Sequence, residues 1–74
     1  MEEFLTIQDV MTNLHVSRHY VEWIRDNHLL RMWKIGNKYR TTESDINDFI
    51  ELTRGYDLSG EGDIITFARL HKLI

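Results

Sequence analysis

Three neighbouring polar side chains, His15, Ser17 and His19, are the first candidates for chemistry in this sequence. A serine beside a histidine can act as a nucleophile with its base, and two histidines four residues apart can share a metal ion on one helix face. Ser17, however, precedes a helical pattern, where its hydroxyl would accept hydrogen bonds from backbone amides as an N-cap. Because this cap separates His15 from the helix that carries His19, we predict neither a catalytic site nor a metal site.

Length and composition also disfavour an enzyme. The chain has 74 residues, 42% of them hydrophobic and 28% charged, which is the mix of one small globular domain. A core of this size leaves little room for a deep active-site cavity. Gly36 belongs to no phosphate-binding loop, and the lack of cysteine excludes disulfides and thiolate chemistry. We therefore expect a protein without catalytic activity, cofactor or bound metal.

The start of the chain and its hydropathy predict no association with a membrane. The first residues, Met1-Glu2-Glu3-Phe4, lack the basic and apolar regions of a signal peptide. No apolar run approaches the length of about 20 residues that a membrane-spanning helix requires. Together with the lack of cysteine, these features lead us to expect a soluble cytoplasmic protein.

The net charge of −3 conceals an uneven distribution of cations. Residues 15–40 contain six of the nine lysine and arginine side chains and only two acidic residues, whereas both ends of the chain are acidic. A basic middle can present one surface to a polyanion while the rest of the molecule stays acidic. A solvated surface of mixed charge is the alternative interpretation of this feature.

A first helix is predicted over residues 7–14. Thr6 and Asp9 have the spacing of a capping box at its start. The apolar spacing within it is that of a single buried face. This face is formed by Ile7, Val10, Met11 and Leu14.

A tight turn then leads to a second helix, which Ser17 caps and which extends to about Asn27. Val21 and Ile24 point toward the first helix. The pair Asn27-His28 ends the second helix, because asparagine tolerates the left-handed backbone that a terminal residue often adopts. The side chains left to solvent or to a ligand are Arg18, His19, Glu22, Arg25 and Asp26.

A hairpin and a third helix follow. Between residues 30 and 41 the apolar spacing changes to two, and Gly36-Asn37 forms the turn. Three cations, Lys34, Lys38 and Arg40, lie on this small ribbon. Thr42 then caps a third helix that Gly55 ends. Its buried face is predicted to comprise Ile46, Phe49, Ile50 and Thr53.

The rest of the chain is predicted to be a flexible connector, residues 55–62, and an amphipathic helix that Asp63 caps. This last segment, residues 63–74, has more apolar side chains than a minimal three-helix core needs. They are Ile64, Ile65, Phe67, Leu70, Leu73 and Ile74. The surplus predicts either self-association and partner docking or a tail that folds back over its own core.

Four aromatic side chains have two interpretations. Tyr20 and Trp23 lie beside the buried stripe of the second helix, a position that favours partial burial over stacking on DNA. Trp33 and Tyr39 suit cross-strand packing in the hairpin better than stacking on single-stranded bases. Stacking on DNA is the other interpretation of Tyr20, which is therefore included among the candidate DNA-binding residues.

The order of helix, turn and capped helix predicts a DNA-binding helix-turn-helix, whose second helix fits the major groove. A helical hairpin with an ordinary charged surface is the alternative. The basic ribbon that follows favours the winged form of the motif, mainly α with a small β-hairpin, because such a ribbon can lie along the DNA backbone or in the minor groove. The candidate DNA-binding residues are Ser17, Arg18, His19, Tyr20, Glu22, Arg25, Lys34, Asn37, Lys38 and Arg40.

Several short segments, in order and without gaps from Phe4 to about Ile50, match one family pattern. The segments are Phe4-Leu5-Thr6-Ile7 with Val10, Leu14-His15-Val16-Ser17-Arg18, Val21 with Ile24, Lys34-Ile35-Gly36 with Tyr39-Arg40, and Asp45-Ile46 with Phe49-Ile50. The chain thereby resembles the excisionase-type helix-turn-helix proteins, related to the MerR superfamily of winged-helix regulators. The resemblance implies that the DNA-facing residues are Arg18, His19, Glu22, Lys34, Lys38 and Arg40.

The chain departs from this family pattern at four positions. His15 and His28 occupy positions where the family commonly has glycine, and Arg31 stands where proline is common. Polar residues can adopt turn conformations at modest cost, so the predicted fold is unchanged. Trp23 replaces an arginine that often faces DNA in the family, and that contact is therefore not expected here.

These observations predict an accessory protein that binds double-stranded DNA without catalysis. The resemblance implies an excisionase-like factor that bends DNA and biases an integrase toward excision. A small transcriptional repressor of a phage or mobile element is the alternative, and a protein-binding module is a third class. The predicted organisation is a DNA-binding domain over residues 1–54, a connector over 55–62, and a segment for self-association or integrase docking over 63–74.

Overall fold

Helices dominate the computed structural model, which describes residues 3–74. Within this range the elements are, in chain order, β1 (Phe4–Leu5), α1 (Ile7–Leu14), α2 (Arg18–Asp26), β2 (Trp33–Ile35), β3 (Lys38–Thr42), α3 (Glu43–Thr53) and α4 (Glu61–Leu70). No helix in the described residues is both long and apolar enough to cross a membrane.

The start of α1 confirms the predicted capping box. The backbone N–H of Asp9 donates to the Thr6 hydroxyl oxygen at 3.1 Å, and the Asp9 carboxylate accepts from the Thr6 N–H at 2.9 Å. Two amide groups that the helix cannot satisfy internally are thereby paired, which stabilises the helix by about 1 kcal/mol. The helix ends at His15, whose backbone is left-handed with φ 56°.

Helix α2 begins at the predicted cap, where the Ser17 hydroxyl accepts from the Tyr20 N–H at 3.3 Å. Its buried face is the predicted one, since Val21 and Ile24 are fully buried. The packing of α1 against this face, across the short turn between the two helices, forms the helix-turn-helix.

The residue that ends α2 differs from the prediction. His28, with φ 63°, adopts the left-handed conformation, whereas Asn27 has φ −96°. The Asn27 side-chain amide donates to the Trp23 carbonyl oxygen at 2.8 Å, which keeps Asn27 beside the helix. The prediction that asparagine supplies the reversal was therefore wrong. His15 and His28 both hold the left-handed backbone that glycine adopts most easily.

Three antiparallel strands form the sheet, in the order β1-β3-β2. The hairpin of β2 and β3 confirms the prediction, with Gly36 at φ 70° in its turn and Lys34 opposite Tyr39. Strand β1 was not predicted, because two residues are too short to show an alternating pattern. It pairs Phe4 with Thr42 at the far end of β3, and it thereby anchors the hairpin to the start of α1.

Helix α4 begins earlier than predicted, at Glu61 rather than after Asp63. The Asp63 carboxylate accepts from the backbone N–H of Gly60 at 3.3 Å. Asp63 therefore belongs to the first turn of the helix and is not the cap. A carboxylate in this turn interacts favourably with the positive end of the helix dipole.

One apolar core joins the helices, and α4 contributes to it. Ile64, Phe67 and Ala68 are buried in the same cluster as Ile24 of α2 and Ile46 of α3. Much of the apolar surplus of the C-terminal segment is therefore core. Leu70 and Ile74 are the exceptions, with 73% and 56% of their surface exposed.

The arrangement is that of a winged helix-turn-helix. Helices α1 and α2 form the motif, and the β2–β3 hairpin is the wing beside it. This confirms the predicted fold class, with a third strand added to the predicted hairpin.

Candidate nucleic-acid interface

A groove of about 530 Å³ lies between α2, the wing and the start of α1. Its lining draws on three separate parts of the chain: Thr6, Ile7, Gln8, Arg18, Arg25, Lys34, Asn37, Lys38, Tyr39 and Arg40. Every charged residue in this lining is basic. We refer to this surface as the basic groove.

Helix α2 supplies two of these cations because of its periodicity. Arg18 and Arg25 are two helical turns apart and therefore lie on the same side of α2. Burial of Val21 and Ile24 against the core orients α2 so that this side borders the wing. Cations from α2 thus meet Lys34, Lys38 and Arg40 of the wing around one concave surface, where their fields add.

An ion pair organises the first turns of α2. Arg18 Nε lies 3.4 Å from Glu22 Oε2, and the Arg18 side chain stays largely exposed. An exposed pair of this kind contributes little stability. Its effect is to hold the guanidinium beside a carboxylate that can accept a hydrogen bond from the amino group of a base.

Tyr39 of the wing contacts α2 through Arg25. The Arg25 guanidinium carbon lies 4.2 Å from the centroid of the Tyr39 ring, and Arg25 Nε donates to Asp26 Oδ1 at 2.9 Å. The Lys34 ammonium lies 5.5 Å from the same ring centroid. The Tyr39 ring therefore joins the cations of α2 and β2 at the seam between helix and wing.

The other wing residues flank this seam. Arg40 Nη1 donates to the Tyr39 carbonyl oxygen at 3.1 Å, which holds the Arg40 side chain close to β3. Asn37 follows Gly36 in the turn, is exposed, and borders the groove at the wing tip.

Four predicted DNA-binding residues, Ser17, His19, Tyr20 and Glu22, do not line the basic groove. Glu22 is connected to it only through its ion pair with Arg18. Ser17 uses its hydroxyl as the α2 cap. His19 is exposed on α2 but lies outside the groove lining. Tyr20 faces the connector, and its hydroxyl donates to the Leu58 carbonyl oxygen at 2.7 Å.

The environment of Tyr20 is that of a structural side chain. Partial burial raises the pKa of its phenol above the ordinary value, and the nearby Asp63 carboxylate raises that pKa further. The hydroxyl therefore stays protonated and continues to donate to the Leu58 carbonyl at neutral pH. Trp23, also half-buried, lies beside Tyr20 with 6.3 Å between ring centroids.

Trp33 packs outside the basic groove. Its ring meets Phe4 of β1 edge to face, with 6.2 Å between centroids. This contact agrees with the prediction that Trp33 serves cross-strand packing, although the partner belongs to the strand that was not predicted.

Sequence analysis did not identify the start of α1 as part of this surface. Thr6, Ile7 and Gln8 line the basic groove, and Gln8 is exposed. The available signal was that Gln8 lies in the first turn of α1 on the side away from its apolar face. Tyr39 was assigned only to hairpin packing, since its contact with Arg25 joins elements far apart in the sequence.

Comparison with known proteins now decides the family. A family model described as a helix-turn-helix domain matches residues 4–52, which is more than half of the chain. The chain belongs to this helix-turn-helix family. Neither the comparison with curated proteins nor the comparison with solved structures gave a match.

Family membership and the basic groove agree, and the chain is a DNA-binding helix-turn-helix domain. The matched residues include α1, α2, the wing and nearly all of α3. The connector and α4 lie outside the match, although α4 shares the core of this helix-turn-helix domain. Within residues 3–74 no three histidine or acidic side chains cluster closely enough to hold a metal ion.

Proposed function

We propose that this helix-turn-helix domain is an excisionase-like accessory factor, which binds specific double-stranded DNA, bends it and biases an integrase toward excision. The basic groove is the observation that supports the proposal most directly. It gathers five cations from α2 and the wing on one side of a chain whose net charge is −3. A surface of this kind suits two adjacent grooves of one duplex.

The proposed docking follows from the positions of helix and wing. Helix α2 enters the major groove with its N-terminal turn foremost, so that Arg18 and Glu22 reach base edges. The wing, with Lys38 and Asn37 at its tip, lies along the neighbouring backbone or in the minor groove. Simultaneous contact with both grooves favours a bent duplex, which a factor that assembles a recombination complex requires.

The proposed protein partners are an integrase and further copies of the same chain. The support for this part is the exposure of Leu70 and Ile74 on α4 and the C-terminal residues, away from the groove lining. Apolar side chains exposed in this way can pack against a neighbouring protein bound to the same DNA.

Arg18→Ala and Lys38→Ala are each expected to weaken DNA binding without changing the melting temperature, because both side chains are exposed at the basic groove. Loss of a base-edge contact at Arg18 costs about 1–3 kcal/mol on the specific site. Loss of a phosphate contact at Lys38 lowers the slope of log K against log salt by about 0.9. Fluorescence anisotropy with a labelled duplex at several salt concentrations measures both effects.

Arg69→Ala is the matched control for these two variants. Arg69 is an exposed cation on α4 outside the groove lining, so its loss changes the net charge equally and removes no proposed contact. Affinity that stays at the wild-type value in both groove variants, or falls equally in the control, contradicts the docking.

The excisionase-like role has its own expected result. In a reconstituted excision reaction with the cognate integrase and attachment-site DNA, the protein increases the excised product, and Arg18→Ala loses this effect. Footprinting over the attachment and promoter regions of the same element locates the sites. Protection confined to promoters, with no effect on excision, indicates the transcriptional repressor instead.

Leu70→Glu tests the partner surface on α4. The affinity for a single site is expected to be unchanged, and cooperative binding to multi-site DNA is expected to be reduced.

A further inference from the structure

Arg25 is held more firmly than Arg18, the other cation that α2 supplies to the basic groove. Its guanidinium carbon lies over the Tyr39 ring, 4.2 Å from the ring centroid, and its Nε donates to Asp26 Oδ1 at 2.9 Å. Only 18% of its side-chain surface is exposed, whereas 62% of the Arg18 side chain is exposed. Two contacts and partial burial therefore hold the Arg25 guanidinium in place before any ligand binds.

The two contacts leave most of the hydrogen-bonding capacity of Arg25 unused. The contact with the Tyr39 ring is a cation–π contact that uses no hydrogen-bond donor, and the contact with Asp26 uses the Nε–H. The Nη–H donors project from the edge of the plane, in the fork geometry that binds two oxygens of one anion. Arg25 lines the basic groove, so a ligand in the groove can reach this edge.

The place of Arg25 in the fold indicates which anion it binds. Arg25 lies in the last turn of α2, and Tyr39 belongs to the wing, so the pair stands at the seam between the two elements. When α2 occupies one DNA groove and the wing the adjacent one, the sugar-phosphate strand that separates the grooves passes this seam. Base edges are presented instead to the first turns of α2.

We propose that Tyr39 and Asp26 are positioning residues, which fix the Arg25 guanidinium to bind a backbone phosphate between the two grooves. The proposal rests on the DNA-binding function proposed above and assigns a role to Tyr39 within it. A free arginine side chain loses rotamer freedom when it binds, whereas this one is already ordered. We call the arrangement of Tyr39, Asp26 and Arg25 the clamp. Because Tyr39 belongs to the wing and Arg25 to α2, the angle between wing and helix sets the position of the phosphate contact.

The experiment measures binding to a labelled duplex of mixed sequence at several salt concentrations, for the full chain and four variants. Arg25→Gln is expected to lower the slope of log K against log salt by about 0.9, the value for one phosphate contact. Tyr39→Leu removes the cation–π contact and is expected to weaken binding about two- to fivefold. Tyr39→Phe keeps the ring and is expected to bind like the wild type. Trp33→Leu, which removes an aromatic side chain of the same hairpin outside the groove, is the control.

A double-mutant cycle separates positioning from general stability. If Tyr39 acts through Arg25, Tyr39→Leu has no further effect on affinity once Arg25→Gln is present. If Tyr39 only supports the fold, the same loss occurs in both backgrounds, and that result overturns the clamp. The melting temperatures of all variants identify any that fail to fold. If Tyr39→Leu is among them, Tyr39→Met, which also lacks the ring, takes its place in the cycle.

A duplex selected for specific binding tests the choice of phosphate. Arg25→Gln is expected to weaken binding to this duplex and to the mixed-sequence duplex by the same factor. A loss confined to the selected duplex shows a base-edge contact and overturns the phosphate assignment. If the wild-type protein binds neither duplex, both the proposed function and the clamp are overturned. If the wild-type protein binds and Arg25→Gln binds equally well, only the clamp is overturned.

Discussion

Ile24→Asp is expected to unfold the domain. Ile24 is fully buried in the core on the inner face of α2, where no cation is available to pair with a new carboxylate in the core cluster. Burial of an unpaired charge costs several kcal/mol. A domain of 74 residues has a total stability of about 4–11 kcal/mol, so one such change removes most of it. Val21→Asp is expected to act in the same way, since Val21 is also fully buried.

Circular dichroism melts and amide spectra measure this effect. His19→Asp is the matched control, because it places the same carboxylate on the exposed side of the same helix. The control is expected to keep a cooperative melt close to that of the wild type. A native-like spectrum for Ile24→Asp would show that the inner face of α2 is not the one described.

The helix-turn-helix itself was predictable from local sequence. Capping hydroxyls at Thr6, Ser17 and Thr42 mark the starts of α1, α2 and α3, and all three accept the expected backbone hydrogen bonds. Each cap acts over three residues, so its signal is contained in a short stretch of sequence. The hairpin was predictable for the same reason, because Gly36 marks a turn between two adjacent strands.

The features that sequence reasoning missed depend on contacts between distant residues. Strand β1 exists because Phe4 pairs with Thr42, and a two-residue strand has no pattern of its own. Tyr20 falls on the connector side of α2 because its hydroxyl meets the Leu58 carbonyl, 38 residues along the chain. The contact of Arg25 with the Tyr39 ring is likewise formed only when helix and wing have packed together.

The charges of the interface were predictable, but their arrangement was not. Clustering of cations in residues 15–40 already separated this segment from the acidic ends. From the sequence, Arg18, Arg25 and the wing cations were all candidate DNA-binding residues, but only Arg18 and the wing cations were implied to face DNA by the family resemblance. The structure distinguishes them, since Arg18 pairs with Glu22 and is largely exposed, whereas Arg25 is mostly buried at the seam between helix and wing.

Truncation after Gly62 is expected to remove most of the stability of the helix-turn-helix domain, although the family match ends at residue 52. The deletion removes Ile64 and Phe67, which are 0% and 2% exposed in the core. Burial of each such side chain contributes about 1.5–3 kcal/mol, a large part of the stability of a domain this small. Removal of α4 also exposes apolar surface of α2, against which it packs.

A thermal melt of the truncated chain, compared with the full chain and with Leu70→Glu, tests this expectation. Leu70 is 73% exposed, so its substitution keeps the buried face of α4 and is expected to leave the melting temperature unchanged. A truncated chain that melts like the full chain would contradict the role of α4 in the core. In that case α4 would serve only assembly on DNA. The edge-to-face contact of the exposed Tyr56 ring with Phe67, at 4.9 Å, would then add nothing to the stability of the fold.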